Sequence, residues 1–292
     1  MKPARFDYFD PRTFEEAIEL LAGAGTDAKV MAGGQSLMPL MNMRLVRPAV
    51  VVDINRVGGS SYVKPWDGGV AVGATTRQRS LEGDTLIADR LPILKTAARY
   101  IGHTQIRSRG TVCGSIAHAD PAAELPALAL ALDAEMEVQA KRGKRTIAAA
   151  DFFVDYLTTG LQPDEILVET RLPGPPAGMA WAFMEVSRRH GDFAMVGIVA
   201  GLALGAGGNA ISDARLTYFG VGGTPVRCRE VEGALRGQPP GEAAFAAAAA
   251  AIQPQLDPSD DVHASAAYRR SVAGVLTQRA LTQAWLQLRG QS

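Results

Sequence analysis

The sequence contains little cysteine. Cys113 and Cys228 are the two cysteines among its 292 residues. Two thiols provide neither a disulfide framework nor the ligands of a structural zinc ion or an iron–sulfur cluster. The sequence therefore predicts a chain that carries no metal and works in a reducing, cytoplasmic setting.

The sequence also lacks an excess of charge of either sign. Lysine and arginine together number 30, and so do aspartate and glutamate. A balanced chain gives no electrostatic reason to expect nucleic acid or an anionic membrane as a partner. The longest apolar run, at about 196–206, is interrupted by glycines and is too short to cross a bilayer. The first residues lack the apolar segment of a signal peptide.

Three common motifs of nucleotide-binding and hydrolytic enzymes are missing. The sequence has no Gly-x-Gly-x-x-Gly after a first strand, no Gly-x-x-x-x-Gly-Lys-Ser/Thr and no Gly-x-Ser-x-Gly. Their absence disfavours a Rossmann domain, a P-loop NTPase and an α/β-hydrolase. His103, His118 and His263 do not show the spacing of metal ligands.

Two short glycine segments are present, Ala32-Gly33-Gly34-Gln35-Ser36 and Thr111-Val112-Cys113-Gly114-Ser115. Because glycine has no Cβ, the backbone can turn sharply there and approach a ligand closely. Successive free N–H groups then form a concave anion site, called a nest, and two nests suit a diphosphate. The helix predicted from Ser36 to about Arg44 would direct its N-terminus at that anion. Each segment is also typical of an ordinary tight turn with a helix cap.

Polar side chains flank these segments. Arg107 and Arg109 precede the second one, and Thr111 and Ser115 add hydroxyl donors. Downstream, Glu124 could accept hydrogen bonds from sugar hydroxyls or simply complement a helix dipole. A third segment, 188–193, ends in Asp192 and Phe193, which could face a planar cofactor. The alternative is a polar turn in which Phe193 enters the core.

The periodicity of apolar residues predicts a mixture of helices and strands. Thr13 and Glu16 fit a capping box and Gly23 is the expected stop of the first helix, while Asp120 and Pro121 are expected to open another. Helices are predicted at about 11–25, 36–44, 91–101, 120–132, 227–235, 243–251 and 266–288. Strands are predicted at about 28–31, 50–54, 69–74, 135–140, 144–148, 165–172, 181–186, 195–204 and 214–219.

Several further segments fall in a characteristic order around the glycine segments. They are Phe6-Asp7-Tyr8, Val52-Asp53-Ile54-Asn55, Gly73-Ala74-Thr75-Thr76, Gln105-Ile106-Arg107, Gly114-Ser115-Ile116-Ala117 and the stretch 120–126. With this order and spacing, the chain resembles over essentially its whole length the medium, FAD-binding subunit of molybdenum hydroxylases. Bacterial carbon monoxide dehydrogenase and the separate-chain relatives of xanthine dehydrogenase contain such a subunit.

The resemblance implies an α+β fold in two domains. Residues 1–176 would form a two-lobed FAD-binding domain of the vanillyl-alcohol-oxidase (PCMH) type, with lobes at about 1–57 and 58–176. Residues 179–292 would form a smaller α+β domain of the carbon monoxide dehydrogenase flavoprotein type. The proline- and glycine-rich stretch 173–178 is the expected linker.

The resemblance also implies which residues bind FAD. The set is Lys29, Val30, Met31, Ala32, Gly33, Gly34, Gln35, Ser36, Thr111, Val112, Cys113, Gly114, Ser115, Ala119, Glu124, Leu167, Asp192 and Phe193. Three positions depart from the family pattern. Gln35 stands where carbon monoxide dehydrogenases tend to carry histidine, Cys113 where glycine is common, and Phe193 where a tyrosine or an aliphatic residue can occur.

The function implied by the resemblance is electron transfer. A large partner subunit would carry the molybdenum cofactor, a small one would carry 2Fe-2S clusters, and the FAD of this chain would pass electrons to an external acceptor. A heterotrimer, possibly doubled, is implied, and the stretch 117–126 looks more like subunits that serve N-heteroaromatic hydroxylases. No residue of this chain is expected to act as a general acid or base, because the flavin performs the redox chemistry. A free-standing flavin oxidase and a non-catalytic assembly subunit are the alternatives.

Overall fold

A small parallel sheet opens the fold of this protein, whose structure, a computed structural model, describes residues 2–290. Its strands are β1 (Asp7–Phe9), β2 (Ala28–Met31) and β3 (Val50–Asp53), in the order β1-β3-β2. Two helices, α1 (Phe14–Ala24) and α2 (Leu37–Asn42), connect these strands. Ala17, Ile18 and Leu21 of α1 are buried in one hydrophobic cluster with Val52 of β3, and this cluster also includes residues 166 and 168 of the strand Ile166–Leu172 in the second sheet.

The ends of α1 differ from the prediction. The capping hydrogen bond is present, since the hydroxyl of Thr13 accepts the N–H of Glu16 at 3.1 Å. The helix begins at Phe14, however, and it continues through Gly23 to Ala24. Gly25 follows with a φ of 57°, a left-handed conformation that glycine adopts without strain. The helix therefore ends one residue beyond the expected stop at Gly23.

The second sheet is antiparallel and has five strands in the order β4-β5-β10-β6-β7. These are β4 (Val63–Trp66), β5 (Gly69–Gly73), β6 (Glu135–Ala140), β7 (Gly143–Ala148) and β10 (Ile166–Leu172). Between β5 and β6 lie α3 (Ser80–Gly83), α4 (Thr85–Arg90), α5 (Pro92–Ala98), α6 (Thr104–Arg107), α7 (Val112–His118) and α8 (Glu124–Ala131). Between β7 and β10 lie α9 (Ala149–Phe152), β8 (Phe153–Asp155) and β9 (Thr158–Thr159).

Two helix predictions in this region need correction. The predicted helix at 91–101 is α5, which ends earlier, at Ala98. The helix expected to open at Asp120 and Pro121 begins instead at Glu124. Ala119 has a left-handed φ of 53° that ends α7, and the carboxylate of Asp120 accepts the N–H of Ala122 at 2.9 Å. Aspartate thus closes a local turn here instead of capping a helix.

The C-terminal part is a four-stranded antiparallel sheet with helices on one face. The strands are β11 (Ala180–Val186), β12 (Val196–Leu204), β13 (Ile211–Phe219) and β14 (Val226–Arg227), in chain order across the sheet. The helices are α10 (Arg229–Leu235), α11 (Glu242–Ile252) and α12 (Ala266–Leu288). The bounds of α12 confirm the prediction, and the hydroxyl of Ser265 accepts the N–H of Tyr268 as its cap.

The C-terminal sheet packs on both faces. Ala182 and Ile198 lie in the cluster shared with the helices α10 to α12. Phe183, Val199 and Phe219 lie instead in the cluster shared with α5 and α8. Alternating side chains of one strand point to opposite faces, which explains this division. Within the described residues, no helix has the length and apolarity that a bilayer crossing requires.

Candidate functional site

A cavity of about 550 Å³ lies where the two glycine segments meet. Its wall is formed by the first glycine segment and β2, by the start of α7, by Glu124 of α8 and by the segment 165–167. The turn 191–193 between β11 and β12 completes it. Segments more than 150 residues apart therefore line one cavity. Of the 18 predicted binding residues, 16 line it, and Val112 and Ala119 do not.

The first glycine segment is held very close to the second. A β-carbon on Gly33 would lie 2.5 Å from the carbonyl oxygen of Arg109 and 2.6 Å from Cα of Gly110. Gly34 has a φ of 71°, a region that other residues adopt with strain. Glycine is therefore required at position 33 because a side chain would clash with the backbone of residues 109 and 110, and at position 34 because of its positive φ.

The backbone N–H groups of Gly33, Gly34, Gln35 and Ser36 are available for a ligand. None of them donates a hydrogen bond to any residue between 2 and 290. The hydroxyl of Ser36 likewise makes no capping hydrogen bond within this described part of the chain. Buried or half-buried N–H groups normally have partners, so a run of four free donors beside a cavity is the arrangement expected of an anion nest.

The second glycine segment is the start of a helix and not a loop. Residues 112–118 are the helix α7, with Thr111 as its cap. The hydroxyl of Thr111 accepts the N–H of Gly114 at 3.1 Å, and its carbonyl accepts the N–H of Ser115. A β-carbon on Gly114 would overlap the same hydroxyl. The segment thus forms a wall of the cavity. The N–H groups of Gly114 and Ser115 bond to Thr111 and that of Val112 to Thr76, while those of Thr111 and Cys113 have no acceptor among the described residues.

Cys113 is a core thiol at the back of this wall. Its Sγ lies 3.3 Å from the hydroxyl of Thr170, and burial raises its pKa to about 12. A thiol with such a pKa stays protonated and unreactive at neutral pH. Val112 is also buried in the core, and Ala119 ends α7 outside the cavity.

Two carboxyl groups of the cavity wall are almost completely buried, Glu165, which is paired with Arg142 and Arg145, and Glu124, for which the described residues provide no ion pair. Glu124 is 5% exposed, and burial raises its pKa to about 7. His118 and Asp120 lie on the same wall, and burial lowers the pKa of His118. Near neutral pH, Glu124 can therefore donate or accept a hydrogen bond, which suits an alcohol or an amide partner.

The turn 191–193 lies at the rim of the cavity. Phe193 is 63% exposed, so the alternative in which its ring enters the core is wrong. A β-carbon on Gly191 would lie 2.5 Å from Cε1 of His103, which shows how closely this turn approaches the segment before α6.

Sequence reasoning missed several residues that line the cavity. They are Leu37, Leu40, Val46, Ile54, Ala74, Gln78, Ile101, Gly102, Ile106, Gly110, Ala117, Ala123, Leu157, Leu161, Glu165, Ile166 and Gly191. Gln78 is the informative one, because its side-chain oxygen is buried and accepts no hydrogen bond from the described residues. An unpaired buried acceptor in a cavity wall is expected to have a partner in the ligand.

The cavity combines four free N–H donors, a buried amide oxygen, a carboxyl group of raised pKa and apolar walls. This donor set fits a ligand that has a phosphate group, hydroxyl groups and an apolar ring, as FAD has. A metal centre is not indicated, since the described residues hold no group of three or more histidine, cysteine, aspartate or glutamate side chains suited to a metal ion.

Two family descriptions match the chain. Residues 4–175 match the FAD binding domain in molybdopterin dehydrogenase. Residues 181–284 match the CO dehydrogenase flavoprotein C-terminal domain.

Relatives and solved structures match nearly the whole chain. Subunit alpha of the 6-hydroxypseudooxynicotine dehydrogenase complex of Paenarthrobacter nicotinovorans is 45% identical, over 97% of this chain and 96% of that subunit. Caffeine dehydrogenase subunit beta of Pseudomonas sp. (strain CBB1) is 39% identical, over 97% and 96% of the two chains. The structure of carbon monoxide dehydrogenase from Hydrogenophaga pseudoflava, which lacks the Mo-pyranopterin moiety of the molybdenum cofactor, contains a chain that is 36% identical. It superposes with a TM-score of 0.94 over 98% of this chain and 99% of that one.

Proposed function

The chain belongs to the family of FAD-binding medium subunits of molybdenum hydroxylases, and from this premise we propose that it is the electron-transfer subunit of such a complex. Electrons released when a substrate is hydroxylated at the molybdenum cofactor of a large partner subunit pass through the 2Fe-2S clusters of a small partner subunit. The FAD of this chain then delivers them to an external acceptor. The three subunits form a heterotrimer.

The observation that carries this proposal is the cavity between the two glycine segments, with four unpaired N–H groups on one side. FAD supplies the redox chemistry when it is bound, and the protein supplies position and shielding. We infer that the N–H groups of residues 33–36 and the hydroxyl of Ser36 bind the diphosphate. The segment from Lys29 to Met31 contacts the adenosine side.

The remaining lining residues suit the other parts of the cofactor. Glu124 and Gln78 are placed to bind hydroxyl groups of the ribityl chain, since both are buried residues of the cavity wall and carry side-chain oxygen atoms. Leu167 provides an apolar contact, and Asp192 and Phe193 at the rim approach the isoalloxazine ring. No residue of this set is assigned a proton-transfer role.

The cysteines of the chain support the division of labour among subunits. Iron–sulfur clusters need several thiolates, whereas Cys113 and Cys228 are free, buried, and have pKa values raised to about 12 by burial. The clusters therefore belong to another chain. Two relatives are named as subunits of larger dehydrogenases, which supports a heteromeric assembly.

We propose an N-heteroaromatic compound as the substrate of the complex. The names of the two relatives refer to 6-hydroxypseudooxynicotine and caffeine, both of which contain a nitrogen heterocycle.

We also propose a domain boundary within the stretch 173–178. Residues 1–176 form the FAD-binding domain, with lobes at about 1–57 and 58–176, and residues 179–292 form the flavoprotein domain. The first family match ends at residue 175 and the second begins at residue 181, which supports this boundary.

The test is purification of the native chain from its source with an affinity tag. We expect the absorption bands of an oxidised flavin, two co-purifying chains of larger and smaller mass, and bleaching of the flavin when an N-heteroaromatic substrate is added to the complex. The chain alone is expected to oxidise none of a broad panel of alcohols and amines. Turnover by the isolated chain would establish the free-standing oxidase instead, and a native complex that releases no FAD on denaturation would establish an assembly subunit.

A further inference from the structure

The two glycine segments are joined by side chains that do not line the cavity. The side chains of Asn55, just after β3, and Arg77, just after β5, are not part of the cavity wall. Nη2 of Arg77 donates a hydrogen bond of 2.6 Å to Oδ1 of Asn55. This contact connects the parallel sheet with the antiparallel sheet, because each residue follows a strand of a different sheet.

Each member of the pair also binds a backbone carbonyl, in the first glycine segment or just before the second. Nδ2 of Asn55 donates to the carbonyl oxygen of Ala32 at 2.5 Å, directly before Gly33. Nη1 of Arg77 donates to the carbonyl oxygen of Arg109 at 2.6 Å, two residues before Thr111. This is the same carbonyl that a β-carbon on Gly33 would meet. The hydrogen bonds therefore run through two side chains from the first glycine segment to Arg109, two residues before the second.

Asn55 is fixed in turn by β1 and β3. Oδ1 of Asp53 accepts hydrogen bonds from both the backbone N–H and Nδ2 of Asn55, at 2.9 and 2.5 Å. Oδ2 of Asp53 accepts the hydroxyl of Tyr8 at 2.7 Å. All the polar atoms of the Asn55 amide are thus occupied, which restricts its side chain to one orientation.

We propose that Asn55 and Arg77 are positioning residues that set the distance between the two glycine segments and thereby determine the affinity for the diphosphate of the cofactor. This inference rests on the proposed function, because it assumes that the cavity binds FAD. The pair acts without touching the ligand. It keeps the carbonyl of Arg109 against Gly33, so that the free N–H groups of residues 33–36 remain directed at the cavity.

The geometry requires arginine at position 77. A guanidinium group is planar and presents several donors in a fixed fork, so one side chain bonds the Asn55 amide and the Arg109 carbonyl together. The ammonium group of a lysine has the same charge but a flexible stem, and it cannot hold both acceptors in the same plane. If Arg77 acts by its geometry, Arg77→Lys should weaken FAD binding, and if it acts by its charge, Arg77→Lys should bind FAD like the wild type.

The experiment measures the dissociation constant of FAD for the full chain, stripped of cofactor, by quenching of flavin fluorescence. The variants are Arg77→Met, Arg77→Lys, Asn55→Ala and the double variant Arg77→Met/Asn55→Ala. Arg79→Met is the matched control, because Arg79 is exposed and its side chain makes no hydrogen bond or ion pair with the described residues. Thermal unfolding of each stripped protein is recorded, and binding is measured well below the lowest midpoint.

We expect Arg77→Met and Asn55→Ala each to weaken FAD binding about tenfold, the order expected when a hydrogen-bonded network that positions a site, but does not touch its ligand, is broken. The double variant should be about as weak as either single variant, since both remove the same connection. Arg77→Lys should resemble Arg77→Met, and Arg79→Met should bind like the wild type.

Other outcomes overturn the inference. Wild-type affinity in the two single variants would show that the pair supports only the fold, and a lowered unfolding midpoint alone would show the same. Full recovery in Arg77→Lys would show that Arg77 acts by its charge, and additive losses in the double variant would show that Arg77 and Asn55 act independently. Failure of the wild-type chain to bind FAD at all would contradict the proposed function itself, and it is seen before any variant is compared.

Discussion

Gly33 and Arg109 are in contact through the backbone: the space a β-carbon of Gly33 would occupy lies 2.5 Å from the Arg109 carbonyl oxygen. Seventy-six residues of sequence separate them. Glycine is therefore needed at position 33 because two distant segments approach each other there, and not because of a local turn. Since both segments line the cavity, this contact sets the shape of the site.

Gly33→Ala is expected to weaken FAD binding by at least about tenfold. The added methyl group overlaps backbone atoms that side-chain rotation cannot relieve, and overpacking of this kind costs about 1–3 kcal/mol. Fluorescence titration of the stripped chain gives the affinity. Gly23→Ala is the control, because no atom lies within 4 Å of a β-carbon there. In the helix α1 this change should stabilise the chain by up to about 1 kcal/mol and leave FAD binding unchanged. Equal affinities in the two variants would contradict the prediction.

Ser36→Ala tests the polar contact of the first glycine segment. The hydroxyl of Ser36 has no capping partner in the described chain and lies in the cavity wall. Losing a hydrogen bond to a charged phosphate should weaken FAD binding roughly tenfold to a hundredfold. Ser80→Ala, on the exposed first residue of α3, provides the matched control. An unchanged dissociation constant for Ser36→Ala would remove this residue from the binding set.

The elements predicted correctly from the sequence are those fixed by local chemistry. The strand β2 has the predicted bounds, 28–31, and α12 has the predicted bounds, 266–288. The serine cap of α12 and the apolar run before the first glycine segment both act within a few residues. The hairpin of β6 and β7 confirms its prediction for the same reason, since Gly143 with a φ of 117° lies at its turn.

The features that sequence reasoning missed depend on contacts between distant segments. Strand β5 pairs with β10, about a hundred residues later, and no local pattern specifies that register. Leu157 and Leu161 reach the cavity from the hairpin of β8 and β9, and apolar periodicity does not distinguish them from core residues. The start of α8 was missed because an aspartate followed by a proline is typical of a helix start, and the left-handed Ala119 that prevents it cannot be read locally.

Arg227→Met is expected to destabilise the chain by about 3 kcal/mol. Glu232 is 2% exposed and accepts hydrogen bonds from Nε and Nη2 of Arg227, so removal of the arginine leaves a buried carboxylate without its cation. Arg227 also pairs with Asp133, at the end of the turn that follows α8. Urea unfolding followed by circular dichroism measures the change. Arg236→Met, which breaks the more exposed pair with Asp213, should cost less than about 1 kcal/mol. Similar losses in both variants would show that burial does not control these pairs.

Glu124 makes the stability of the cofactor-free chain depend on pH in a predictable direction. Burial raises its pKa from 4.5 to about 7 in the folded chain. The unfolded chain therefore loses this proton first as the pH rises, and the folded state loses stability between about pH 4.5 and pH 7. Below this range Glu124 is neutral in both states and does not reduce the free energy of unfolding. Above it the free energy of unfolding is lower by about 3 kcal/mol, because each unit of pKa difference between the two states corresponds to 1.36 kcal/mol.

Glu124→Gln isolates this effect because glutamine keeps the shape of the neutral acid and cannot ionise. Near pH 4 the variant and the wild type should unfold at similar urea concentrations, and by pH 8 the variant should be the more stable. Burial lowers the pKa of His118, which gives the opposite slope, and raises that of Glu185 to about 8, which gives the same slope as Glu124. His118 remains in the variant and its contribution cancels in the difference between the two proteins. Burial is the larger cause of the raised pKa of Glu185 and is also retained, while the smaller effect of the Glu124 charge on Glu185 is lost and adds to the difference. A difference that stays constant from pH 4 to pH 8 would show that Glu124 ionises as it does in the unfolded chain.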